Sequence, residues 1–160
     1  MPSSFEPAAA CNYTLYFSPQ NYQQNMYMVL TLPKQIDFSQ NAVKCYGLAG
    51  TDNDQYGQLK CEIDKTKRTI TIKNFVEFQR GNPGDIEILI ETLVNPVQNI
   101  LTDSFVLQTF THEGYSLDQM DENLAVNFFC EYPCATCHQI WTDECYSCYG
   151  QSDYKIYHDY

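Results

Sequence analysis

Apolar and polar positions alternate with a period of two along most of this chain, the spacing that gathers side chains on one face of a β-strand. Tyr13, Leu15 and Phe17 alternate with Thr14, Tyr16 and Ser18. Met26 to Leu32 is a short apolar run that stops at Pro33, where a ladder loses its donor. Ala42 to Leu48 and Gln58 to Ile63 read as two strands around the loop Ala49-Gly50-Thr51-Asp52-Asn53-Asp54-Gln55-Tyr56-Gly57. Thr69-Ile70-Thr71-Ile72 is β-branched throughout, and the pattern runs on into Phe75-Val76-Glu77-Phe78. Gly81-Asn82-Pro83-Gly84 is a turn signal. From Asp85 to Val94 the residues Ile86, Ile88 and Ile90 share one face, and Asn95-Pro96 closes the run. Ser104 to Phe110 and Asn123 to Phe129 complete the set. The polar connection between them, with Tyr115, Leu117 and Met120, has room for a short strand or a helical turn.

These segments predict about eight strands and no amphipathic helix. Two packed antiparallel sheets, an immunoglobulin-like or related β-sandwich, is the architecture that buries such a set. The sandwich is expected over residues 1–128. From 129 to 160 the composition shifts to Cys, Tyr and Asp with almost no aliphatics, so that tail needs covalent staples in place of a core.

Composition changes the picture in two ways. Charged residues are only 18% of the chain, so its polar surface rests on 13 Gln, 11 Asn and 13 Tyr; with aromatics at 14% this is the make-up of a folded chain. The net charge of −11, with nine scattered basic residues, excludes nucleic acid as a partner. No run reaches the length of a membrane helix. The first residues lack the basic and apolar regions of a signal peptide. If the protein is secreted, the expectation is a part or processed form of a longer polypeptide.

The eight cysteines carry the most specific pattern. Cys11, Cys45 and Cys61 are dispersed, whereas Cys130, Cys134, Cys137, Cys145 and Cys148 crowd into Cys-x3-Cys-x2-Cys-x7-Cys-x2-Cys. Two chemistries compete. Four thiolates in two Cys-x2-Cys units can hold tetrahedral zinc, with His138 in reserve, but the interval between the units is short for a zinc ribbon. Zinc also leaves the other four as thiols. Disulfides account for all eight on the single assumption of an oxidising compartment. Cys45 and Cys61 flank a loop and are placed to staple it. An alternating pattern, Cys134 with Cys145 and Cys137 with Cys148, is expected in the tail, and Cys11 with Cys130 would tie the ends of the sandwich.

The order of these features resembles a family: an aromatic strand, an apolar strand ending in Leu-Pro, a cysteine pair, Thr-Ile-Thr-Ile, Gly-Asp-Ile-Glu-Ile before Asn-Pro, Asp-Ser-Phe-Val-Leu-Gln-Thr-Phe, and then the cysteine cluster. It is similar to the ectodomains of ciliate cysteine-rich surface proteins, in which a β-rich segment precedes furin-like, growth-factor-receptor-type repeats. The resemblance covers roughly residues 11 to 150 and is most specific in the tail. It implies an extracellular or cell-surface location, disulfides in the tail, and a role in adhesion, recognition or coat assembly. It implies no catalytic residue.

Other motifs are weaker. Asp52 and Asp54 stand at odd positions before Gly57, as in the opening of a calcium loop, but Ile63 occupies the place of the bidentate Glu; a plain polar turn is the simpler reading. Asp118, Asp121 and Glu122 form a second acidic group, read as a solvated loop. Asn12-Tyr13-Thr14 is an N-glycosylation acceptor sequence, which makes Asn12 a glycan site in a secreted chain. His112, His138 and His158 sit in no nucleophile–base pattern, and His112-Glu113 is an isolated pair. Tyr132, Trp141, Tyr146, Tyr149, Tyr154 and Tyr157 crowd the tail with Tyr160; rings with one polar end suit an interface as well as they suit packing around disulfides.

The sequence thus predicts a non-enzymatic extracellular structural or adhesion module without a cofactor. Its expected partners are other surface proteins or further copies of itself, joined in filaments or a coat. Two other classes stay open: a carbohydrate-binding β-sandwich with glycan partners, and an intracellular zinc-binding adaptor if the cysteines are reduced.

Overall fold

The structure is a computed structural model that describes residues 2–3, 10–23, 25–39, 42–51, 56–73, 75–76, 84–96, 100–121 and 124–128, together with the backbone of 134–137 and 145–148. The described secondary structure is all β, with no helix. The strands are β1 (Ala10–Phe17), β2 (Tyr27–Thr31), β3 (Asp37–Phe38), β4 (Lys44–Ala49), β5 (Gly57–Asp64), β6 (Thr69–Lys73), β7 (Ile86–Val94), β8 (Ile100–Leu101), β9 (Val106–Phe110), β10 (Ser116–Met120), β11 (Asn127–Phe128), β12 (Cys134–Cys137) and β13 (Cys145–Cys148).

One antiparallel path, β1-β7-β4-β5-β6-β2-β9-β10, curls back on itself, and β3 adds to β7 at its Val94 end. The curl turns on β5. Its first residues, Gly57 to Leu59, pair with β4, whereas Lys60 to Asp64 pair with β6. β5 therefore belongs to two layers: sheet A (β1, β7, β4 and the start of β5) and sheet B (the rest of β5, β6, β2, β9 and β10). A strand that changes sheet at a corner is how sandwiches turn without leaving ladder groups unpaired. The antiparallel sandwich-like fold expected from the alternation is present; this strand order does not by itself define the immunoglobulin-like connectivity.

One core lies between the layers. Tyr13, Phe17, Cys45, Ile86, Ile88 and Ile90 contribute from sheet A, and Met28, Leu30, Ile70, Ile72 and Leu107 from sheet B, in a single buried cluster. On each strand these residues alternate with half-buried or exposed ones, the consequence of a two-residue repeat with one dry face. Phe17 meets Phe75 edge-on at 6.3 Å, and Tyr13 meets Phe105 at 5.9 Å, so aromatic rings fill the space beyond the aliphatic rows. Phe75 and Val76 are buried as expected, but β6 stops at Lys73 and they pack outside any strand.

Two local features of sheet A depend on a left-handed backbone. Tyr13 pairs with Ile90 and Cys11 with Leu93, so Asn12 faces both Glu91 and Thr92, a bulge in β7. Thr92 carries it at φ +66°, a left-handed conformation that is costly for a β-branched residue. At Gly50 (φ +68°) a Cβ would collide with the Asp85 carbonyl oxygen, so only glycine lets the chain after β4 pass over the start of β7.

The connection between β9 and the final pair holds a strand, β10, where the sequence leaves a strand or a helical turn open. In the tail, β12 and β13 pair with Cys134 opposite Cys148 and Cys137 opposite Cys145. That register nests the cysteines, in contrast to the alternating arrangement expected from their spacing. A short antiparallel ladder pairs its first residue with its last.

Candidate binding surface

Register determines which outward side chains stand side by side. On sheet A, Thr14 lies opposite Leu89, and Leu89 opposite Tyr46. One row away Tyr16 lies opposite Glu87, and at the other end Lys44 lies opposite Glu91. Tyr46, Leu48 and Leu89 are half-buried and Tyr16 is 65% exposed. The outer face of sheet A is therefore a band of Thr14, Tyr16, Tyr46, Leu48 and Leu89 edged by carboxylates. An apolar band on a solvent face is a recognised mark of a contact surface.

The exposed ring is held in place. The Tyr16 hydroxyl donates to Asp85 Oδ2 at 2.5 Å, and the Ser18 hydroxyl donates to Asp85 Oδ1. The two donors, Ser18 first, hold the Asp85 carboxyl below the ordinary aspartate range, and the same carboxylate pushes the Tyr16 hydroxyl up.

Behind this face, the edge of the sandwich opens an apolar pocket of about 240 Å³ lined by Tyr13, Leu15, Leu30, Phe105, Leu124 and Val126 among others. Of its two tyrosines, Tyr16 is the one held by Asp85, and the Tyr13 hydroxyl donates to Asn95 Oδ1 at 2.5 Å, an oxygen the Cys11 thiol also reaches at 3.1 Å. Burial is the main cause that raises Tyr13 well above an ordinary tyrosine. The buried bond to Asn95 ties β1 to the residue that follows β7. On β10, Asp118 accepts from the backbone and side-chain amides of Asn21, binding the loop before β2 over that strand. This accounts for Asp118 as a structural carboxylate.

The sequence-predicted sites fall unevenly. Cys45 and Cys61, expected to staple a loop, are neighbours that shift one another, Cys61 pushing the Cys45 thiol up and Cys45 holding Cys61 down, but both are thiols in this structure. Asn12 lies half-buried on β1, where its backbone exchanges hydrogen bonds with Ser3. His112 and Glu113 are exposed in the β9–β10 turn. Asp52, Asp54, Cys130, Tyr132, His138, Trp141, Tyr149, Tyr154, Tyr157 and His158 lie outside the described residues, and Tyr146, Cys134, Cys137, Cys145 and Cys148 are described in backbone only. No cluster of metal-ligating side chains occurs among the described residues. Nor does any helix among them have the length and apolarity to cross a membrane. The outer face of sheet A was missed as a surface. Its signal was present in the Tyr16 side of the β1 alternation, but Tyr46, between Cys45 and Gly47, gives none without the register.

No protein-family profile matches the chain, and no curated protein sequence matches it. Among solved structures it is similar to the crystal structure of the RrgA Jo.In complex, at 13% identity and a TM-score of 0.40, over 76% of this chain and 69% of that one. At that level of likeness nothing about function passes from one to the other.

Proposed function

We propose that this chain is a non-enzymatic structural or adhesion module of a cell surface, and that it makes protein contacts through the outer face of sheet A. The observation that supports this reading is the band of Thr14, Tyr16, Tyr46, Leu48 and Leu89 on a rigid sheet, with Tyr16 exposed and fixed by Asp85. Rigid amphipathic aromatics lose little entropy when covered, which is why such rings dominate protein interfaces. A further copy of the chain is the partner of first choice. The resemblance to ciliate surface ectodomains supports assembly outside the cell, with the tail stapled by disulfides.

Sedimentation velocity over a wide concentration range tests it. Self-association is expected for the wild type and is expected to vanish in a Tyr46→Ser/Leu89→Ser variant with an unchanged melting profile. A wild type that stays monomeric throughout sinks the assembly reading. The exposed Tyr16 ring beside a carboxylate is also the kind of platform on which a sugar stacks, and this favours the carbohydrate-binding reading as second. A glycan-array signal lost on Tyr16→Ala, from a monomeric protein, would select it.

A further inference from the structure

Cys45 and Cys61 lie on neighbouring strands, one diagonal step apart, at the place where β5 leaves one sheet for the other. Cys45 sits in the middle of sheet A, between Leu59 and Ile90 in register, and is fully buried. Two residues beyond Leu59, Cys61 already pairs with Ile72 of sheet B and is half-buried. The β4–β5 pairing ends at Cys45 with Leu59, and two residues beyond it the Cys61 thiol donates to the Val43 carbonyl oxygen at 3.8 Å. Residues opposite each other share a face, so both thiols point to the interior side of β4 and β5.

We propose that Cys45 and Cys61 form a thiol–disulfide exchange site for small-molecule disulfides, in which Cys61 is attacked from solvent and Cys45 resolves it, covalently tying sheet A to sheet B. The roles follow from access. Cys61 is the member that a reagent can reach, and Cys45 is screened by the core. The neighbouring thiols reinforce the division: Cys45 holds the Cys61 thiol below its ordinary range, while Cys61, with burial, pushes Cys45 up. A thiolate is the attacking form.

In the first step the Cys61 thiolate attacks one sulfur of RS–SR. A Cys61–S–S–R bond forms, the RS–SR bond breaks, and RS⁻ leaves to take a proton from water. In the second step Cys45 gives up its proton to water and attacks the Cys61 sulfur. The Cys45–Cys61 bond forms and a second RS⁻ departs. Two protein thiols are oxidised and one disulfide is reduced to two thiols. Closing from neighbouring thiols to an S–S bond of about 2.05 Å needs a small approach of the two chains. The switch point of β5, where the strand has let go of β4, is where the sheets can supply it. The product would join two layers otherwise held by packing and by β5 itself. This inference is independent of which partner the outer face binds.

The test uses the full chain, reduced and desalted without oxygen, then exposed to oxidised glutathione, alkylated and mapped by peptide mass. The expected wild-type product is a Cys45–Cys61 cross-linked peptide two hydrogens lighter than the reduced pair. In Cys45→Ala the glutathione adduct should persist on Cys61. In Cys61→Ala, Cys45 should stay unmodified, reacting at least about tenfold more slowly than Cys61 does in the wild type. If Cys45→Ala does not give the wild-type circular dichroism spectrum, Cys45→Ser supplies the same readout. A stable Cys61 adduct in the wild type, a Cys61 link to a tail cysteine, equal reactivity of the two thiols, or no reaction at either would each overturn the proposal.

Discussion

The two sheets share a core but differ on their outer faces. Sheet A turns Thr14, Tyr16, Tyr46, Leu48 and Leu89 outward. Sheet B turns outward a ladder of Lys60 and Lys73, Glu62 and Thr71, Asp64 and Thr69, with Val29, Thr31 and Gln108 beyond. There Glu62 is held by Lys73 at 2.9 Å, and Gln108 donates to Gln119. Its apolar members are Val29, Val106 and the stacked pair Tyr27 and Phe110, ring centroids 5.1 Å apart. Sheet B's outer face carries the larger share of charged and amide groups, paired across strands, whereas sheet A's presents tyrosine and leucine. Strand alternation alone makes the two faces equivalent; the register distinguishes them.

The comparison is broken most directly at the shared core. Ile88 of sheet A and Ile72 of sheet B are both fully buried. Ile88→Ala and Ile72→Ala should each cost about 2–5 kcal/mol, because the cavity left behind adds to the lost transfer energy. Denaturant unfolding should stay a single transition in both. Two separated transitions would mean that the layers fold as independent units, and the contrast between faces would then lie between two domains.

A smaller loss is expected where sheet B is fastened to the turn before β3. The Arg68 guanidinium donates to the carbonyls of Pro33, at 3.0 Å, and Ile36, while the Arg68 backbone oxygen accepts from Leu32. Arg68→Ala should cost about 2 kcal/mol, the range for hydrogen bonds made by a charged group, as a lower denaturation midpoint. A change within about 0.5 kcal/mol, the scale of ordinary surface substitutions, would show that the turn holds without it. On sheet A the opposite sign is expected. Thr92→Gly should stabilise by about 1 kcal/mol, since glycine removes the left-handed strain at the β7 bulge. The hydroxyl removed with the side chain makes only a long hydrogen bond, 3.4 Å to the Ala42 carbonyl. A destabilised variant would mean that the threonine side chain, and not the strain, dominates there.

These cases show what was legible in the residues and what was not. Where one face is dry and the other wet, alternation is strong, and β1, β2, β4 to β7 and β9 were expected close to their observed places. β10 was left open because Ser116–Met120 alternates poorly, with Leu117 and Asp118 both half-buried. The two-residue strands β3 and β8 are too short to carry a period. The bulge at Thr92 and the change of sheet at Leu59 were invisible, since neither has the glycine or proline that usually marks such a place. The proximity of Cys45 and Cys61 was readable from their position around a loop; the difference in their burial needed the sheets. The outer face of sheet A escaped because tyrosine density points to the tail, while Tyr16 and Tyr46 become neighbours of Leu89 only through pairing.

The smallest effect sharpens the comparison most, because it asks whether the exposed ring of sheet A is fixed. The carboxyl of Asp85 is held below its ordinary value by Ser18 and then Tyr16, so its folded pKa lies under the unfolded one. The stabilisation linked to it is present above the ordinary aspartate pKa of about 3.9 and is lost as pH falls through the lower folded value. The group is open to solvent, so the effect on global stability is slight, and the readout is the Asp85 side-chain carboxyl resonance followed by NMR through acid pH. Ser18→Ala should move its midpoint upward, and Tyr16→Phe should do so by less, following the order of the two causes. In the complementary direction, Asp85→Asn should lower the Tyr16 hydroxyl toward an ordinary tyrosine. If Asp85 titrates at the ordinary value in the wild type and in both variants, the Tyr16 ring is not anchored. The outer face of sheet A would then be a mobile aromatic surface, costlier to order on binding than a rigid one.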